Sequence, residues 1–440
     1  MRVAVVGTGH VGLVTCVTMA ELGHQVVGLD SDPEKVEQLS AGHSWFWEPG
    51  LEELLAKSLG NGTLTFTTEI EELPGDLEVA FICVGTPARV DGEANLLAVE
   101  LAARQIARHA TGPMVIVEKS TTPAGTSCRV KQAITRERPD LAGSIEVVSN
   151  PEFLREGSAV EDSLHPDRIL VGAETESGFA AMRKLYSLLL EEGTPIFETD
   201  IATAELAKHA CNAFLALKIS YANALARICE RAGADVTAIA EVMGADARIG
   251  RSFLNAGLGY GGFCFPKDLV AFERLSSRLG YDFTLLKEVA KINDEAVDAT
   301  LDKIGESLWN FEGKRVALFG LAFKAQTDDV RYAPALALAR KLLDREAEVV
   351  GYDPEAGANA KEELPGLELT DDPYEAARGA DCVVLCTEWP EFRELDLARL
   401  KEVMSYPLVV DGRNFLSESK VTDAGLVYVA TGRPQRTPVV

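Results

Sequence analysis

Two parts of this chain repeat the same order of strand-like runs and turn residues, and this repeat constrains the fold more than any other feature. Arg2-Val-Ala-Val-Val-Gly7 is echoed by Arg315-Val-Ala-Leu-Phe-Gly320, and Val26-Val-Gly-Leu-Asp30 is echoed by Val349-Val-Gly-Tyr-Asp353. Short apolar runs rich in β-branched residues, separated by helix-length amphipathic stretches, are typical of parallel strands joined by crossover helices. The sequence therefore predicts an α/β fold with two doubly wound, Rossmann-like domains, one at each end.

The segment between these ends has a different texture. From Asp200 to about Thr300, Ala, Leu, Glu and Lys dominate at helical spacing, which predicts a central helical domain. Residues 203–232 are expected to form one long helix of roughly 45 Å, which could bridge the end domains and offer a dimer surface. We therefore predict three domains, at residues 1–199, 200–303 and 304–440.

Bulk composition limits the class of partner. A formal net charge of −25 over 440 residues argues against nucleic acid and anionic membrane surfaces. No apolar run approaches the length of a membrane span, and Met1 leads directly into a strand, so we expect neither an anchor nor a secretory leader. The eight cysteines lie mostly in apolar runs, which indicates reduced thiols in a cytoplasmic protein. No spacing of Cys and His resembles a metal site, so no metal is expected.

The first strand leads into Gly7-Thr-Gly9-His-Val-Gly12, which then opens a helix. In a dinucleotide-binding loop the first glycine permits a tight turn, the second lets the backbone approach a pyrophosphate, and the third allows close helix–strand packing. Asp30 ends the second strand, where a carboxylate can accept from a ribose 2′-hydroxyl and would repel a 2′-phosphate. This order favours NAD over NADP, with a flavin or another nucleotide as the main competitor.

Two further turns follow predicted strands of the same domain. They are Val84-Gly85-Thr86-Pro87 and Lys119-Ser120-Thr121-Thr122-Pro123. Open parallel sheets bind ligands beyond the carboxyl ends of their strands, so both are candidate ligand-binding turns. Taken singly, each fits an ordinary turn with a helix cap equally well.

A cysteine lies within the stretch Gly259-Tyr-Gly-Gly-Phe-Cys264-Phe-Pro266-Lys-Asp268. Pro266 suits the first position of a helix, so Cys264 is expected just before the helix start, where the helix dipole favours a thiolate. The glycines give a loop that admits a substrate closely, and Asp268 falls in the first turn as a possible base or relay. The alternative is a buried spectator cysteine beside an acid that caps a helix.

Two pairs of polar residues, each four apart, add candidate groups. Lys208 and Asn212 share one face of the long helix and could stabilise a developing oxyanion. Glu152 and Glu156 follow an Asn-Pro pair that we interpret as a helix start, and Glu152 could position a hydrolytic water. The alternatives are a solvated lysine and acids that complement a helix dipole.

These residues together resemble the UDP-glucose/GDP-mannose dehydrogenase family over nearly the whole chain. Besides the glycine loop, the similarity includes Lys119-Ser-Thr121, Asn150-Pro-Glu-Phe-Leu-Arg-Glu-Gly157, the segment from Thr203 to Asn212 and the cysteine loop. It continues through Gly320-Leu-Ala-Phe-Lys324, Asp329-Val-Arg331 and Asp411-Gly-Arg413-Asn. The resemblance implies an NAD-binding first domain, a central domain with the dimer contact and the cysteine loop, and a third domain that binds a UDP-sugar.

The resemblance also implies a reaction, in which NAD⁺ oxidises C6 of UDP-glucose in two steps while Cys264 holds the carbon as a thiohemiacetal and then a thioester. The implied catalytic residues are Cys264, Lys208, Asn212, Asp268, Thr121 and Glu152. The implied cofactor contacts are Gly7, Gly9, Val11, Gly12, Asp30, Lys35, Thr86, Thr121, Glu156, Lys267 and Arg331. The implied substrate contacts are Glu152, Phe153, Leu154, Lys208, Asn212, Arg248, Phe253, Asn255, Gly261, Lys324 and Arg413, with Arg248 acting across a dimer interface.

Three features depart from the family pattern. Phe263 stands where a small residue usually precedes the cysteine, Ser44-Trp-Phe-Trp-Glu-Pro-Gly50 is unusually aromatic, and Tyr332-Ala333 replaces a common Glu-Ser. They leave open the oxidation of GDP-mannose or of a UDP-N-acetylhexosamine. Phe263 also leaves open a catalytically silent nucleotide-sugar sensor.

Overall fold

A computed structural model describes residues 1–87, 89 and 94–434 of the chain. These residues form two compact units, of which the first holds Met1–Cys211 and Val270–Gly280. The second holds Asn212–Leu269 and residues 281 to 434. No helix in these described ranges is both long enough and apolar enough to cross a bilayer. The domain boundaries inferred from the sequence, after residues 199 and 303, stay a prediction.

The first unit contains a sheet with the strand order β3-β2-β1-β4-β5-β6-β7-β8. Its strands are β1 (Arg2–Val6), β2 (Gln25–Leu29), β3 (Leu64–Thr67), β4 (Val79–Ile82), β5 (Met114–Glu118), β6 (Ile145–Ser149), β7 (Ile169–Gly172) and β8 (Ile196–Thr199). Neighbouring strands pair in parallel except β6 with β7. Strand order reverses beside β1, and such a switch point is where doubly wound sheets bind their ligands.

Helices connect these strands and cover the sheet. They are α1 (His10–Glu21), α2 (Pro33–Ser40), α3 (Leu51–Gly60), α4 (Leu97–His109), α5 (Thr126–Glu137), α6 (Ala159–Leu164), α7 (Glu176–Leu185) and α8 (Ser187–Glu191). Strands β1, β4 and β5 are buried along almost their whole length, as expected for parallel strands with helices on both faces. One apolar cluster includes Val5, Leu13 and Phe81, and a second, which includes Ala4, Ile82 and Ile106, draws on the alternate residues of the same strands.

Helices dominate the middle of the chain, as the sequence predicted. They are α9 (Ile201–Ala232), α10 (Val236–Gly244), α11 (Cys264–Arg278) and α12 (Thr284–Leu308). The predicted long helix is confirmed and is two residues longer at its N-terminus. Thr203 N and Oγ1 donate to the carboxylate of Asp200, so an acidic residue caps this end of α9.

The second unit contains a wholly parallel sheet with the order β11-β10-β9-β12-β13-β14. Its strands are β9 (Arg315–Phe319), β10 (Glu348–Tyr352), β11 (Glu368–Leu369), β12 (Cys382–Leu385), β13 (Leu408–Asp411) and β14 (Val427–Ala430). The connecting helices are α13 (Pro334–Leu343), α14 (Gly357–Glu363), α15 (Pro373–Ala376), α16 (Leu397–Val403) and α17 (Glu418–Asp423). The predicted fold class, with two doubly wound domains and a central helical region, is confirmed.

The internal repeat corresponds to matching turns in the two sheets. Gly7 after β1 and Gly320 after β9 both have positive φ angles, of 91° and 89°. Asp30 after β2 accepts a hydrogen bond from the backbone N–H of Thr8, and Asp353 after β10 accepts one from the N–H of Leu321. In each sheet, the acid that follows the second strand therefore fixes the turn that follows the first.

Candidate active site

The glycine loop joins β1 to α1 without room for side chains at two of its three glycines. A Cβ on Gly12 would collide with the carbonyl oxygen of Gly7, and a Cβ on Gly7 would lie 2.9 Å from the carbonyl oxygen of Cys83. Gly9 is the N-cap of α1 and has no atom within 4 Å of its built Cβ position. The open position is therefore the one at which a pyrophosphate would approach the helix N-terminus.

Asp30 is an ionised carboxylate at the edge of this loop. Its Oδ2 accepts from Thr8 N at 2.8 Å and from Thr8 Oγ1 at 2.9 Å, and Lys35 Nζ lies 3.5 Å away. Burial acts to raise the pKa of Asp30, but the hydrogen bonds from Thr8 and Asp32 and the charge of Lys35 outweigh it, so the pKa is lowered. The two predicted cofactor residues Asp30 and Lys35 thus lie together, and the carboxylate keeps its charge at neutral pH.

The turns after β4 and β5 also come together. Thr86 Oγ1 donates to the carbonyl oxygen of Thr121 at 3.1 Å, so two predicted cofactor residues are in contact. Helix α9 holds the adjoining segment, because His209 Nε2 lies 3.0 Å from the carbonyl oxygen of Thr122. The carboxylate of Glu205 accepts from Gly125 N at 2.5 Å and from Ser127 N at 2.8 Å, and so caps α5.

Glu118 is a fully buried acid at the end of β5, directly before Lys119. Burial, and secondarily the charge of Glu205, raise the pKa of Glu118 well above its usual value. Its carboxyl group therefore keeps its proton to a higher pH than an exposed glutamate does. Lys119 Nζ instead contacts Asn150 Oδ1 at 3.1 Å, which links the ends of β5 and β6.

Glu152 and Lys208 form a buried ion pair. Their Oε1 and Nζ atoms are 2.9 Å apart, and both side chains are more than nine-tenths buried. The Phe153 ring lies 5.3 Å from Lys208 Nζ and 3.9 Å from the guanidinium of Arg168. Glu152 and Phe153 from one motif and Lys208 from another therefore form one cluster, in which a desolvated cation is held against a carboxylate and an aromatic face.

The segment after Asn150 is a loop, so our interpretation of Asn-Pro as a helix start was wrong. Residues 151–155 are irregular, and the next helix, α6, begins at Ala159. Glu152 Oε2 accepts from Leu154 N at 2.7 Å, a local bond that competes with helix formation. The backbone N–H groups of Gly157 and Ala159 donate to the carboxylate of Glu48 and not to carbonyl groups one turn earlier, as they would in a helix. Leu154 and Glu156 are half-buried.

Cys264 is exposed and begins α11, two residues earlier than Pro266 had indicated. A proline is tolerated anywhere in the first turn because those N–H groups have no partner within the helix. Gly259 and Gly262 precede the cysteine with φ angles of 103° and 76°, in the region that favours glycine. A Cβ on Gly261 would collide with the carbonyl oxygen of Tyr332, so the loop packs closely against the backbone after Arg331.

Two asparagines hold this cysteine loop from neighbouring helices. Asn223 Oδ1 on α9 accepts from Gly257 N at 2.8 Å. On α12, Asn293 Oδ1 accepts from Tyr260 N at 2.7 Å, and its Nδ2 donates to Tyr260 O at 3.0 Å. The loop is thus fixed through its backbone.

Asp268 lies one turn after Cys264 and is buried beside two partners. Its Oδ2 accepts from Asn212 Nδ2 at 2.6 Å, and its Oδ1 lies 2.9 Å from Lys267 Nζ. The structure therefore brings together three predicted site residues, Asn212, Lys267 and Asp268. A buried carboxylate with both oxygens engaged is suited to orient neighbouring groups or to relay a proton.

The ring of Phe263 lies near two cationic side chains. Its ring lies 4.8 Å from the guanidinium of Arg331 and 5.6 Å from Lys267 Nζ. Arg331 also pairs with Asp329 at 2.6 Å. The unusual aromatic residue before the cysteine thus lies between the two predicted cofactor cations of this unit.

The remaining predicted substrate residues of the second unit occupy different surroundings. Arg413 Nε donates to Cys386 O at 2.6 Å and its Nη1 to Gly259 O at 3.1 Å, so Arg413 supports the cysteine loop. Phe253 has a φ of 65°, and its ring packs 6.2 Å from that of Phe265. Asn255 is exposed, Lys324 is half-buried, and Arg248 is 88% exposed beside Asp246, so the structure gathers no common cluster around Arg248.

Four of the buried cysteines have surroundings unlike those of the exposed Cys264. Burial raises the pKa of Cys83 and of Cys386 to about 12 each, and also raises the pKa of Cys16 and Cys382. These four thiols are neutral and shielded. All eight cysteines lie in the described part of the chain, and none of them forms a disulfide bond.

Three family models match the chain in order. They describe the NAD binding domain (residues 1–190), the central domain (residues 202–295) and the UDP binding domain (residues 317–418) of the UDP-glucose/GDP-mannose dehydrogenase family. The chain belongs to this family. The predicted identification is confirmed, and with it a nicotinamide-dependent dehydrogenase that uses NAD.

Relatives of known name or structure match over the full length. The UDP-glucose 6-dehydrogenase YwqF of Bacillus subtilis is 42% identical over 100% of this chain and 99% of its own. A solved UDP-glucose dehydrogenase from the archaeon Pyrobaculum islandicum is 39% identical, with a TM-score of 0.90 over 98% of both chains. A solved UDP-D-ManNAc dehydrogenase from Pyrococcus horikoshii is 28% identical, with a TM-score of 0.86 over 99% of this chain and 100% of its own.

The glycine loop fits the NAD of this family. The crowded Gly7 and Gly12, the open Gly9 and the ionised Asp30 supply the turn, the helix N-terminus and the ribose acceptor that NAD requires. Sequence reasoning missed Glu205 and His209, which hold the segment after β5, and Asn223 and Asn293, which hold the cysteine loop. Glu205 and His209 flank Lys208 on α9, but their contacts lie about 80 residues away in the chain, which no local spacing reveals.

Proposed function

We propose that this protein oxidises UDP-glucose to UDP-glucuronate in a four-electron reaction with NAD⁺ and Cys264. The observation that carries the proposal is the exposed Cys264 thiol at the start of α11, one turn before the buried group of Asp268, Asn212 and Lys267. Thiols at helix N-termini are favoured as thiolates. The printed names of the relatives YwqF and the Pyrobaculum islandicum enzyme supply the substrate.

Bound NAD⁺ supplies a hydride acceptor for each of the two oxidations. Oxidation of the C6 alcohol gives an aldehyde, and the Cys264 thiolate adds to its carbon to form a thiohemiacetal. Loss of a second hydride and a proton gives a thioester. Water then breaks the carbon–sulfur bond and releases the acid, so that one sugar and one water give two NADH, and the thiolate is regenerated.

The other residues would control charge and water. Lys208 and Asn212 lie one turn apart on α9, and we assign to them stabilisation of the negative C6 oxygen. We assign to Asp268 a role as base or relay, since its carboxylate is already bonded to Asn212. Glu152, held by Lys208, and Thr121 would position the hydrolytic water.

We assign substrate binding to cations of a chain that is otherwise strongly acidic. Lys324, Arg413 and Arg248 would bind the pyrophosphate of the nucleotide sugar. Arg413 already donates to the backbone of the cysteine loop at Gly259, so it would couple the substrate to that loop. Phe253, Asn255 and Gly261, in or beside the same loop, would contact the sugar.

We further propose that two copies associate through the exposed face of α9. Phe214, Tyr221 and Ile228 are seven residues apart, lie on one side of the helix and are each at least half exposed. Arg248 would then serve the active site of the second copy. The eight cysteines of the described residues form no disulfide bonds, which supports a reducing, cytoplasmic setting.

A second candidate is oxidation of a UDP-N-acetylhexosamine. The Pyrococcus horikoshii UDP-D-ManNAc dehydrogenase favours it by its full-length similarity. Its 28% identity is below the 42% of YwqF, so UDP-glucose is the preferred substrate.

Counting NADH separates these alternatives. Purified protein receives NAD⁺ with UDP-glucose, GDP-mannose or a UDP-N-acetylhexosamine in turn, and NADH formed is compared with sugar consumed. The proposal predicts two NADH per UDP-glucose and glucuronate as the product. One NADH would indicate a simple alcohol dehydrogenase, and binding without NADH would indicate a sensor.

A further inference from the structure

The glycine loop has an aromatic neighbour that belongs to the unusual segment of residues 44–50. Trp45 Nε1 donates a hydrogen bond to the carbonyl oxygen of Thr8 at 3.1 Å. Thr8 N and Oγ1 donate to Asp30 on the other side. The Thr8 residue between the first two glycines of the loop is therefore held at its N–H, its hydroxyl and its carbonyl group.

Trp45 also lies against a cation. Lys35 Nζ is 5.0 Å from the centroid of the Trp45 ring and 3.5 Å from Asp30 Oδ2. The Lys35 side chain is only 23% exposed. An ammonium group held between a carboxylate and an indole face is a poor binder for an additional phosphate, because its charge is already compensated.

The indole itself is fixed by further rings. The His10 ring lies 4.7 Å from Trp45 and 4.1 Å from Phe46, and Trp45 and Phe46 are 4.8 Å apart. His10 is the first residue of α1, directly after Gly9. The aromatic cluster thus spans both the glycine loop and the helix N-terminus to which a pyrophosphate binds.

The second sheet uses an indole in a similar place. Trp389 Nε1 donates at 3.1 Å to Asp353 Oδ2, which also accepts from Leu321 N and Ala322 N. Trp389 is buried, however, whereas Trp45 is 37% exposed. The Trp45 indole thus bonds directly to the turn after β1, whereas the Trp389 indole bonds to the acid that holds the turn after β9, and only Trp45 is partly exposed.

We propose that Trp45 is a positioning residue for the cofactor, which fixes the glycine loop through Thr8 and restrains Lys35 so that NAD is bound in preference to NADP. This role lies outside the proposed chemistry of Cys264. It acts on the affinity for the cofactor and on discrimination at the 2′-position of the adenosine ribose.

Three variants separate the two parts of this role. Trp45→Phe keeps a ring face for Lys35 but loses the N–H donor, Trp45→Ala loses both, and Trp45→Ala with Lys35→Met also removes the cation. Trp309→Phe is the control, since Trp309 is 95% exposed at the end of α12. Binding of NADH and of NADPH is measured by calorimetry, and thermal melting checks that each variant folds.

We expect Trp45→Phe to weaken NADH binding about two- to tenfold, the range for one lost hydrogen bond, and Trp45→Ala to weaken it at least as much. In Trp45→Ala the ratio of the NADPH to the NADH dissociation constant should fall about threefold, because Lys35 is released to meet a 2′-phosphate. Adding Lys35→Met should restore that ratio, and Trp309→Phe should change neither constant.

NADH binding within twofold of the original protein in both single Trp45 variants would overturn the role in the loop. An unchanged NADPH-to-NADH ratio in Trp45→Ala would overturn the role in cofactor choice. Neither measurement requires turnover, so both remain informative if Cys264 proves to have no covalent role.

Discussion

Asn212 Nδ2 donates to Asp268 Oδ2 at 2.6 Å, and this bond ties the long helix α9 to the helix that begins at Cys264. Asp268 is 1% exposed, and its other oxygen lies beside Lys267. A buried carboxylate depends on such donors, because an unmade bond costs the full desolvation of the group.

Replacing Asn212 by Leu should therefore affect both folding and turnover. We expect the free energy of unfolding to fall by about 1–3 kcal/mol and kcat to fall more than tenfold, because the variant removes a donor to Asp268 and the proposed donor to C6. Denaturant titration and NADH formation measure the two effects. Asn359→Leu, which loses only an exposed bond to Asp328 O, is the control. Full turnover by Asn212→Leu would refute the assigned role.

The buried pair of Glu152 and Lys208 gives a second prediction. Removing one partner takes away the counter-charge of a buried group, so Glu152→Gln or Lys208→Met should each lower the free energy of unfolding by about 3–5 kcal/mol. The double variant should recover much of that stability but no activity. Lys287→Met, which breaks an exposed pair with Asp282, should change stability by less than about 1 kcal/mol. Recovery of turnover in the double variant would show that the pair is purely structural.

Glu118 predicts a pH dependence of stability. Because burial and the charge of Glu205 raise the pKa of Glu118, the folded protein keeps a proton that the unfolded chain releases above about pH 4.3. This residue therefore lowers the free energy of unfolding progressively as the pH rises from that value. Glu118→Gln should remove this loss, so the variant should become progressively more stable than the original protein as the pH rises above about 4.3. The exposed control Glu69→Gln should follow the stability curve of the original protein. A constant difference between Glu118→Gln and the original protein would contradict this account.

The proposed dimer predicts complementation between two inactive variants. If Arg248 serves the site of the other copy, Arg248→Ala mixed with Cys264→Ser regains activity, since each mixed dimer has one complete site. Equal mixing after reversible dissociation should give about one quarter of the original activity per site. No recovery, although mixed dimers are detected by mass, would show that Arg248 acts within its own copy.

The sequence predicted those features of the site that depend on local order. Gly7, Gly12 and Asp30 could be assigned because each follows a strand at a fixed spacing, and the long helix because apolar residues recur along it at helical spacing. The start of α11 was missed by two residues because proline is compatible with several first-turn positions. The loop at Glu152 was missed because its bonds to Leu154 and Lys208 replace helical ones.

Contacts distant along the chain account for the rest. Asn293 forms a hydrogen bond with Tyr260, 33 residues away in the chain, and Trp45 forms one with Thr8, 37 residues away. The spacing of residues in a single sequence does not predict which residue an asparagine on a helix or a tryptophan in a loop will contact. Only the packing of the elements reveals these contacts.

The covalent role of Cys264 is tested most directly by trapping the enzyme during turnover. The original protein is mixed with UDP-glucose and NAD⁺, quenched in acid within milliseconds, and digested for mass spectrometry. We predict a hexuronyl nucleotide adduct on the peptide that contains Cys264, which hydroxylamine releases and which Cys264→Ser does not form. The account would be contradicted if Cys264→Ser formed glucuronate with two NADH. It would also be contradicted if the original protein formed glucuronate without any adduct on Cys264.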